Sequence, residues 1–484
     1  MGKTMSDGVE NDEKCLSVGE SAEAEREMKV KDLIPPSERR RRGLVAFLLF
    51  LLGVFAETKV YFYGCIALSE LVVFALAPLF LLSHYSRMRR EGFLPFVLMM
   101  GGLMVSMLIS SAWNHTPFTY VVKLFAVFYG ILAYYICFYE LLRRNLKGLG
   151  WFFLGAAISS VITIYAFNPQ AVVSESGFGY IGEADTYDVV HGPLFWISRL
   201  NSFGQIPIMG AYLQTPLSYS ILAPFAFVSF SLISTVSGRS AALATLLGAV
   251  IILVGRKRRQ TMRKISRHFL SFIFIGLIGL VIFKALYSYT ASTGMLGEEA
   301  RSKYEKQTSR GSGMLKLLMS GRKEFFMAIP AALHRPIMGY GPRAEDTGGY
   351  AEQFLLKYGD ETDIRMYNAA RLQALRTGWK MQIPTHSHIM AAWVWCGLFG
   401  LIFFLWWLYL IYQHMRYYIA AIPQWYGYFA LTIPSLLWHF FFSPFGSRWS
   451  LGLLAACLFF ARAVGRGNMR LPPDMELEAE RYDM

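Results

Sequence analysis

Arginine and histidine side chains that could do chemistry together are concentrated in the stretch from Arg322 to Gly400. This stretch includes Arg343, and two histidines, His386 and His388, stand at the start of its final apolar run. A guanidinium stays charged at physiological pH, and its planar fork binds phosphate oxygens in pairs. An imidazole titrates near neutrality and can take a proton from a hydroxyl group. These residue types predict a site that binds a phosphate-bearing group beside a general base.

The composition places this polar stretch in a membrane protein. Of the 484 residues, 54% are apolar, and the mean hydropathy is +0.36. Several windows reach or approach the roughly 20 apolar residues that cross a bilayer. The expected fold class is all-α, a polytopic membrane protein of about 12 transmembrane helices with one large helical loop on the outer face.

The formal charge of +14 could indicate nucleic-acid binding, but its clusters lie beside apolar segments. Lys and Arg are retained on the cytoplasmic side of a membrane, so such clusters predict topology instead. They are Arg39–Arg42, Arg87–Arg90, Arg143–Arg144 and Arg256–Arg259. We therefore expect both termini in the cytoplasm and no nucleic-acid partner. The five cysteines have no metal-ligand spacing, so no metal site and no disulfide in the large loop are expected.

The charge clusters and apolar runs divide the chain into five segments. They are a disordered cytoplasmic tail at 1–42, membrane helices 1 to 9 at 43–288, the large outer loop at 289–388, C-terminal membrane helices at 389–466, and a cytoplasmic tail at 467–484. The early helices are expected at Gly43–Ala56, Val60–Leu82, Phe93–Trp113, Val121–Leu142 and Gly150–Phe167. The late ones are expected at Ile389–Tyr412, Trp425–Phe442 and Trp449–Val464.

The uncharged interval from Gln205 to Val236 is too long for one membrane helix and slightly short for two. Because Arg143–Arg144 and Arg256–Arg263 should both be cytoplasmic, an even number of crossings must separate them. The interval therefore forms either a re-entrant segment or two short crossings broken at a proline. Either arrangement puts Arg239 on the outer face.

Two amphipathic stretches of the large loop, Lys323–Leu333 and Ala369–Trp379, predict helices on the outer surface of the bilayer. Ionisable residues within membrane segments are costly and therefore informative. Lys123 stands near the outer end of its helix, where snorkelling competes with a phosphate contact. Glu70 and His439 are more interior, where they could satisfy one another or a backbone group.

Four short motifs occur in a fixed order along the chain. They are Arg199–Gly204, Ser237–Ser240, Gly321-Arg322 followed by Pro336 and Gly339-Tyr340-Gly341, and His386-Ser387 followed by Gly397 and Gly400. Their order, spacing and common side of the membrane resemble those of the O-antigen ligase and O-antigen polymerase superfamily, over about Phe93 to Arg462. Ser387 stands where that superfamily commonly has Asn.

The resemblance implies a GT-C-like glycosyltransferase on the periplasmic face of the bacterial inner membrane. The donor would be a glycan on undecaprenyl pyrophosphate, and transfer would be inverting and independent of metals or other cofactors. The acceptor would be lipid A-core in a ligase and another glycan unit in a polymerase. His386, Arg322 and Arg239 would be catalytic, as the base and the cations that stabilise the departing diphosphate. Substrate-binding roles fall to Arg199, Arg343, His388 and Lys123.

Two other readings stay open at this stage. A related enzyme could deliver the glycan to a protein, because the motifs do not separate acceptors. A lipid or glycan transporter is the third possibility, although such proteins commonly contain paired half-sequences. The position of the Arg and His side chains separates the classes, since an enzyme of this kind needs them at the outer boundary of the membrane and a carrier needs them near its midplane.

Overall fold

A computed structural model describes residues 35–56, 58–61, 65–166, 285, 288–290, 292–294, 301, 304–305, 323–359, 361–378, 380–421, 425–442 and 448–470. The helices before the large loop are α1 (Pro36–Ala56), α2 (Leu68–Glu91), α3 (Leu94–Trp113), α4 (Phe118–Arg144) and α5 (Gly148–Ala166). The later helices are α6 (Lys323–His334), α7 (Tyr350–Tyr358), α8 (Glu361–Thr377), α9 (His388–Cys396), α10 (Leu398–Ala421), α11 (Tyr426–Phe442) and α12 (Arg448–Gly465). This confirms the predicted all-α class.

Several of these helices are suited to a membrane. Four of those described, α2, α3, α4 and α12, are long and apolar enough to cross one. Shorter apolar helical stretches lie at Gly148–Ser159, Leu398–Gln413 and Thr432–Phe442. The predicted total of about 12 crossings also includes segments outside the described residues. The interval 205–236 and the motif around Arg239 lie there as well.

The first helix begins earlier than the sequence predicts. α1 starts at Pro36, whose fixed φ and missing N–H suit a first helical turn. Arg39–Arg42, which the sequence assigns to the disordered tail at 1–42, therefore belong to the helix. Arg42 pairs with Glu38 one turn before it, at 2.8 Å.

A short hairpin replaces the start of the predicted second membrane helix. The strands β1 (Lys59–Tyr61) and β2 (Cys65–Ala67) pair antiparallel, so the helix prediction from Val60 was wrong at its beginning. Val, Tyr and Ile favour extended backbone, and they occupy this stretch of the sequence. α2 begins only at Leu68 and continues past the predicted end to Glu91.

Glu70 stabilises the start of α2 and ties it to α12. Its Oε2 accepts the backbone N–H of Ala67 at 3.2 Å and also pairs with the Arg448 guanidinium. Glu70 is buried, so its charge needs these partners. Arg448, which pairs with Glu70, is a residue that the sequence did not suggest.

The opposite end of α2 and α4 is rich in arginine, and we call it the arginine end. Buried Glu91 pairs with Arg143 at 2.9 Å. Glu140 is 1% exposed and pairs with both Arg87 and Arg144. These cations, which the sequence suggested as topology signals, also neutralise buried carboxylates that join α2 to α4.

The segment Pro336–Gly341 packs against a break between α9 and α10, and we call this contact the Gly397 joint. Tyr340 donates its N–H to the Val394 carbonyl at 2.6 Å, and Leu398 donates to the Ile337 carbonyl at 3.1 Å. Gly397 has φ 68° and ψ −155°, a conformation that is essentially restricted to glycine. The predicted single helix Ile389–Tyr412 was therefore wrong, because this residue ends one helix and the next begins after it.

The Gly397 joint leaves no room for a side chain. A Cβ on Gly397 would lie 1.9 Å from the Ile337 carbonyl oxygen, and one on Gly339 would lie 2.7 Å from the Gly397 nitrogen. The Ser106 hydroxyl of α3 donates to the Cys396 carbonyl at 2.8 Å, which fixes the joint to the membrane helices.

We expect Gly397→Ala to lower the thermal stability of the protein in detergent. Backbone strain alone should cost about 1–3 kcal/mol, and the clash with Ile337 adds to it. Gly101→Ala is the matched control, because no atom lies within 4 Å of its added Cβ and alanine favours a helix interior. Equal melting temperatures for the two variants would contradict the tight joint.

Candidate functional site

The structure describes four of the seven predicted site residues, His386, His388, Arg343 and Lys123. Arg199, Arg239 and Arg322 lie outside the described residues, and their roles remain predictions. The described residues come from the first two turns of α4, from the large loop, and from the start of α9. We call this end of the helices the loop end. It is opposite to the arginine end, since α4 runs from one to the other.

A short antiparallel pairing brings His386 and Arg343 to one place. Ile383 donates its N–H to the Ala344 carbonyl at 2.9 Å, and Glu345 bridges to Gln382. In an antiparallel pair, residues that precede one partner adjoin residues that follow the other. Arg343 directly precedes Ala344, and His386 soon follows Ile383. The pairing therefore places both residues at the same end of this two-strand contact.

Ser387 fixes the backbone directly after His386. It is the N-cap of α9, where its hydroxyl accepts the Met390 N–H at 3.2 Å and donates to the Phe440 carbonyl at 2.8 Å. Such caps stabilise a helix start by about 1 kcal/mol. Because Phe440 belongs to α11, the cap also attaches the loop to a membrane helix.

His388 occupies a different environment from His386. It is 2% exposed, and its ring packs against Phe404 and Phe440 and lies parallel to His439, with centroids 6.3 Å apart. His386, in contrast, is half-buried. The two histidines therefore do not act as a facing pair, and the aromatic packing of His388 suits a supporting position behind the start of α9.

The Arg343 side chain packs against the first turn of α4. Its guanidinium carbon stands 5.2 Å from the centre of the Tyr120 ring, a cation–π distance. Its backbone has φ 53°, in the left-handed region, which points to a constrained turn. Lys123 is exposed and follows Tyr120 by three residues, so the two share a helix face. Arg343 and Lys123 therefore lie at the same helix end.

Gly341 fixes this turn against the α3–α4 connection. A Cβ on Gly341 would lie 2.3 Å from the Thr116 hydroxyl oxygen and 3.6 Å from the Ser111 Cα. The segment that carries Arg343 thus contacts the α3–α4 connection through Gly341 and the first turn of α4 through Arg343. Its arginine is positioned by a membrane helix, although it belongs to the large loop.

Arg335 belongs to the same end of the protein, and sequence reasoning did not select it. Its Nη1 donates to the Asn114 Oδ1 at 2.7 Å, and its guanidinium carbon lies 4.8 Å from the Tyr340 ring centre. Asn114 in turn donates to the carbonyls of Ser110 and Gly339. The available signal was its position directly before Pro336 in the glycine-rich motif.

Hydroxyl and imidazole groups form hydrogen bonds that hold Tyr340, the residue on which Arg335 stacks. The Tyr340 hydroxyl lies 2.9 Å from the Tyr350 hydroxyl and 3.0 Å from His334 Nδ1. Burial raises the pKa of Tyr340, and the hydrogen bond to Tyr350 raises it further. Tyr340 therefore keeps its proton well above neutral pH, and its ring presents a neutral hydroxyl to this network.

Two carboxylates organise the loop helices around these groups. Asp346 accepts the N–H groups of Tyr350 and Ala351 at 2.9 and 3.0 Å, which caps α7. Asp363 of α8 pairs with Lys323 at the start of α6. The loop is thus a packed helical unit, as the amphipathic stretches indicated, with α7 in addition to the two helices predicted there.

The resulting arrangement is a cationic site beside an imidazole. Arg335 contacts the α3–α4 connection, Arg343 contacts the first turn of α4 and Lys123 follows on the next turn, while His386 follows the pairing that Arg343 precedes. Guanidinium groups in such a place suit phosphate, and a half-exposed imidazole suits proton transfer. Within the described ranges no cluster of three or more His, Cys, Asp or Glu residues is arranged to hold a metal ion.

We expect Ser387→Ala to lower both the melting temperature and the ability of His386 to function. Removing the cap should cost about 1 kcal/mol, and the buried Phe440 carbonyl loses its donor. Ser387→Asn should retain function, because an amide can both accept and donate. Ser83→Ala is the control, since the bonds of that exposed hydroxyl, to the Leu79 and Phe80 carbonyls and to His84, all lie within its own helix. A Ser387→Ala protein with the same melting temperature as Ser83→Ala would contradict the role of Ser387 as a cap.

Comparison with known families agrees with the geometry. Residues 223–405 match the family model described as O-Antigen ligase. The matched range contains Arg239, Arg322, Arg335, Arg343 and both histidines of the α9 start. No curated protein and no solved structure matches the chain.

Proposed function

Because residues 223–405 match the family model described as O-Antigen ligase, we propose that the protein transfers a glycan from undecaprenyl pyrophosphate to a hydroxyl group of lipid A-core. The superfamily supports a glycan ligase or polymerase activity, and the apolar helices support a membrane location. The finer proposal adds the lipid donor, the acceptor and the periplasmic face of the inner membrane. The cytoplasmic face is then the arginine end, following the preference of Arg and Lys for that side.

The observation that carries the proposal is the placement of His386 and Arg343 at one end of the same two-strand contact. Transfer from a lipid diphosphate needs a base for the acceptor hydroxyl and positive charge for the leaving group. The loop end offers both kinds of group at the ends of membrane helices. A carrier would need them near the midplane, so this placement favours transfer over transport.

In the proposed reaction, the His386 imidazole takes the proton of the acceptor hydroxyl. The hydroxyl oxygen forms a bond to the anomeric carbon while the bond from that carbon to the diphosphate oxygen breaks. The leaving diphosphate keeps the electron pair, and its added charge is stabilised by Arg322 and Arg239. One displacement inverts the anomeric centre and needs no covalent enzyme intermediate, because diphosphate is a good leaving group.

The remaining residues are assigned to substrate binding. Arg343 and Lys123 would contact phosphate or sugar groups at the first turn of α4, and Arg199 would add a further cation. His388 supports this site from the aromatic layer at the start of α9, which fits positioning of His386 better than direct contact. The arginines supply the positive charge that other glycosyltransferases obtain from a divalent ion.

Variants at the three catalytic positions should separate chemistry from folding. His386→Ala, Arg322→Ala and Arg239→Ala should each insert into membranes normally and lose transfer by at least about 100-fold, in line with the loss of a general base or a charge stabiliser. The assay uses purified protein with a polyprenyl-linked oligosaccharide and detects the product by mass. Added Mg²⁺ or Mn²⁺ should not restore activity.

The control for these variants is His115→Ala, an exposed histidine at the same end of the protein, which should keep full activity. Full transfer by His386→Ala would remove the proposed base, and dependence of the wild type on a divalent ion would remove the arginine-based account of the leaving group.

The acceptor can be identified in the same assay. Lipid A-core, a second lipid-linked glycan unit and an acceptor protein are offered in parallel. We expect the glycan on lipid A-core. A lengthened lipid-linked glycan would instead show a polymerase, and a glycosylated protein would show a protein O-oligosaccharyltransferase.

A further inference from the structure

Arg335 is an exposed guanidinium that neutral groups hold in place, and this arrangement points to an anion that it binds. We propose that Arg335 is a phosphate-binding residue of the substrate site, a role that rests on the proposed transferase function. The phosphate could belong to the leaving diphosphate of the donor or to the acceptor, and the experiment below separates these sources.

The charge of Arg335 differs from that of other cations in the loop. Arg371 pairs with Glu352 at 2.8 Å, Arg365 with Glu361 at 3.2 Å, and Lys380 with Glu345 at 2.7 Å. Within the described residues Arg335 has no such carboxylate, and its side-chain partners are the Asn114 amide oxygen and the Tyr340 ring. Its orientation is therefore fixed while its charge is left available to a ligand.

The fixed orientation lowers the cost of binding. A free arginine loses much side-chain freedom when it grips a ligand, whereas a guanidinium already stacked and hydrogen-bonded loses less. Asn114 is itself held by the Ser110 and Gly339 carbonyls at 2.8 and 3.2 Å. Only one nitrogen of Arg335, Nη1, contacts Asn114, so other N–H groups of its fork can reach phosphate oxygens.

The segments that carry Arg335 and His386 are both attached to α9. Tyr340, on which Arg335 stacks, is bonded to Val394 near the end of α9, while His386 directly precedes the Ser387 cap at its start. The rise of the helix between Ser387 and Val394 is about 10 Å. The backbone attachments of the two residues therefore lie at the two ends of one short helix.

The main structural alternative is that Arg335 only braces the α3–α4 connection against the loop. Asn114→Asp separates the two roles. The new carboxylate would form an ion pair with Arg335 where Oδ1 now accepts, and it would lose the bonds that Nδ2 donates to Ser110 and Gly339. The same carboxylate would neutralise the guanidinium and compete with phosphate. A brace therefore predicts unchanged ligand binding in Asn114→Asp, and the phosphate site predicts weakened binding.

The test measures binding without turnover. Purified full-length protein in detergent is titrated with undecaprenyl pyrophosphate and, separately, with phosphorylated or phosphatase-treated lipid A-core, and the complexes are counted by native mass spectrometry. The variants are Arg335→Gln, Arg335→Lys and Asn114→Asp. Arg365→Gln is the control, because that exposed arginine already has a carboxylate partner.

We expect Arg335→Gln and Asn114→Asp to weaken one phosphate-bearing ligand by about 10-fold or more, the usual scale of a charge-assisted hydrogen bond. Arg335→Lys should lose less, since it keeps the charge. A loss for undecaprenyl pyrophosphate assigns the donor, and a loss seen only with phosphorylated lipid A-core assigns the acceptor. Melting temperatures within a few degrees of wild type show that the variants are folded.

Unchanged affinity for every ligand in a folded Arg335→Gln protein would overturn the proposal, as would equal losses for phosphorylated and phosphatase-treated lipid A-core with none for undecaprenyl pyrophosphate. Because no sugar is transferred in this assay, its result does not depend on turnover. A protein that binds phosphate through Arg335 and transfers no glycan would refute the transferase function alone.

Discussion

The described site depends on one close contact, in which the Ile337 carbonyl oxygen lies against Gly397, a residue with no side chain. Gly397 adopts a conformation essentially restricted to glycine, and Ile337 fills the space where its Cβ would be. This contact joins the large loop to α9 and α10. Arg335 and Arg343 flank the loop side of the contact, and His386 precedes the helix on its other side. This contact therefore sets their relative positions together with the Ala344–Ile383 pairing and the Ser387 cap.

Charge is distributed unequally between the two ends of the helices. At the arginine end, Glu91 and Glu140 are buried and pair with Arg143, Arg87 and Arg144. At the loop end, Arg335 and Arg343 stack on aromatic rings. A buried carboxylate that is paired with arginine stabilises a folded structure only if both charges are satisfied. A guanidinium stacked on a ring has a different kind of partner, so the two ends differ in how their arginines are held.

The sequence predicts the membrane helices well where an apolar run is bounded by charge or proline. α3 was expected at Phe93–Trp113 and is found at Leu94–Trp113, since the apolar run and its boundaries are local properties. The hairpin before α2 and the break at Gly397 were missed. The hairpin is local, and its apolar residues were taken for the start of a helix. The break at Gly397 depends on Ile337, which is distant in sequence. Arg335 was passed over for the same reason, because its significance comes from Asn114 in the α3–α4 connection.

The first helix shows how such distant contacts affect the making of the protein. The backbones of α1 and α5 meet at two glycines, where added Cβ atoms at Gly53 and Gly155 would lie 2.1 Å from the carbonyl oxygens of Phe152 and Phe50. During synthesis α1 is produced before α5, so this contact can form only after the chain between the two helices has been made. A bulky residue at either glycine would therefore be rejected only when the two helices meet.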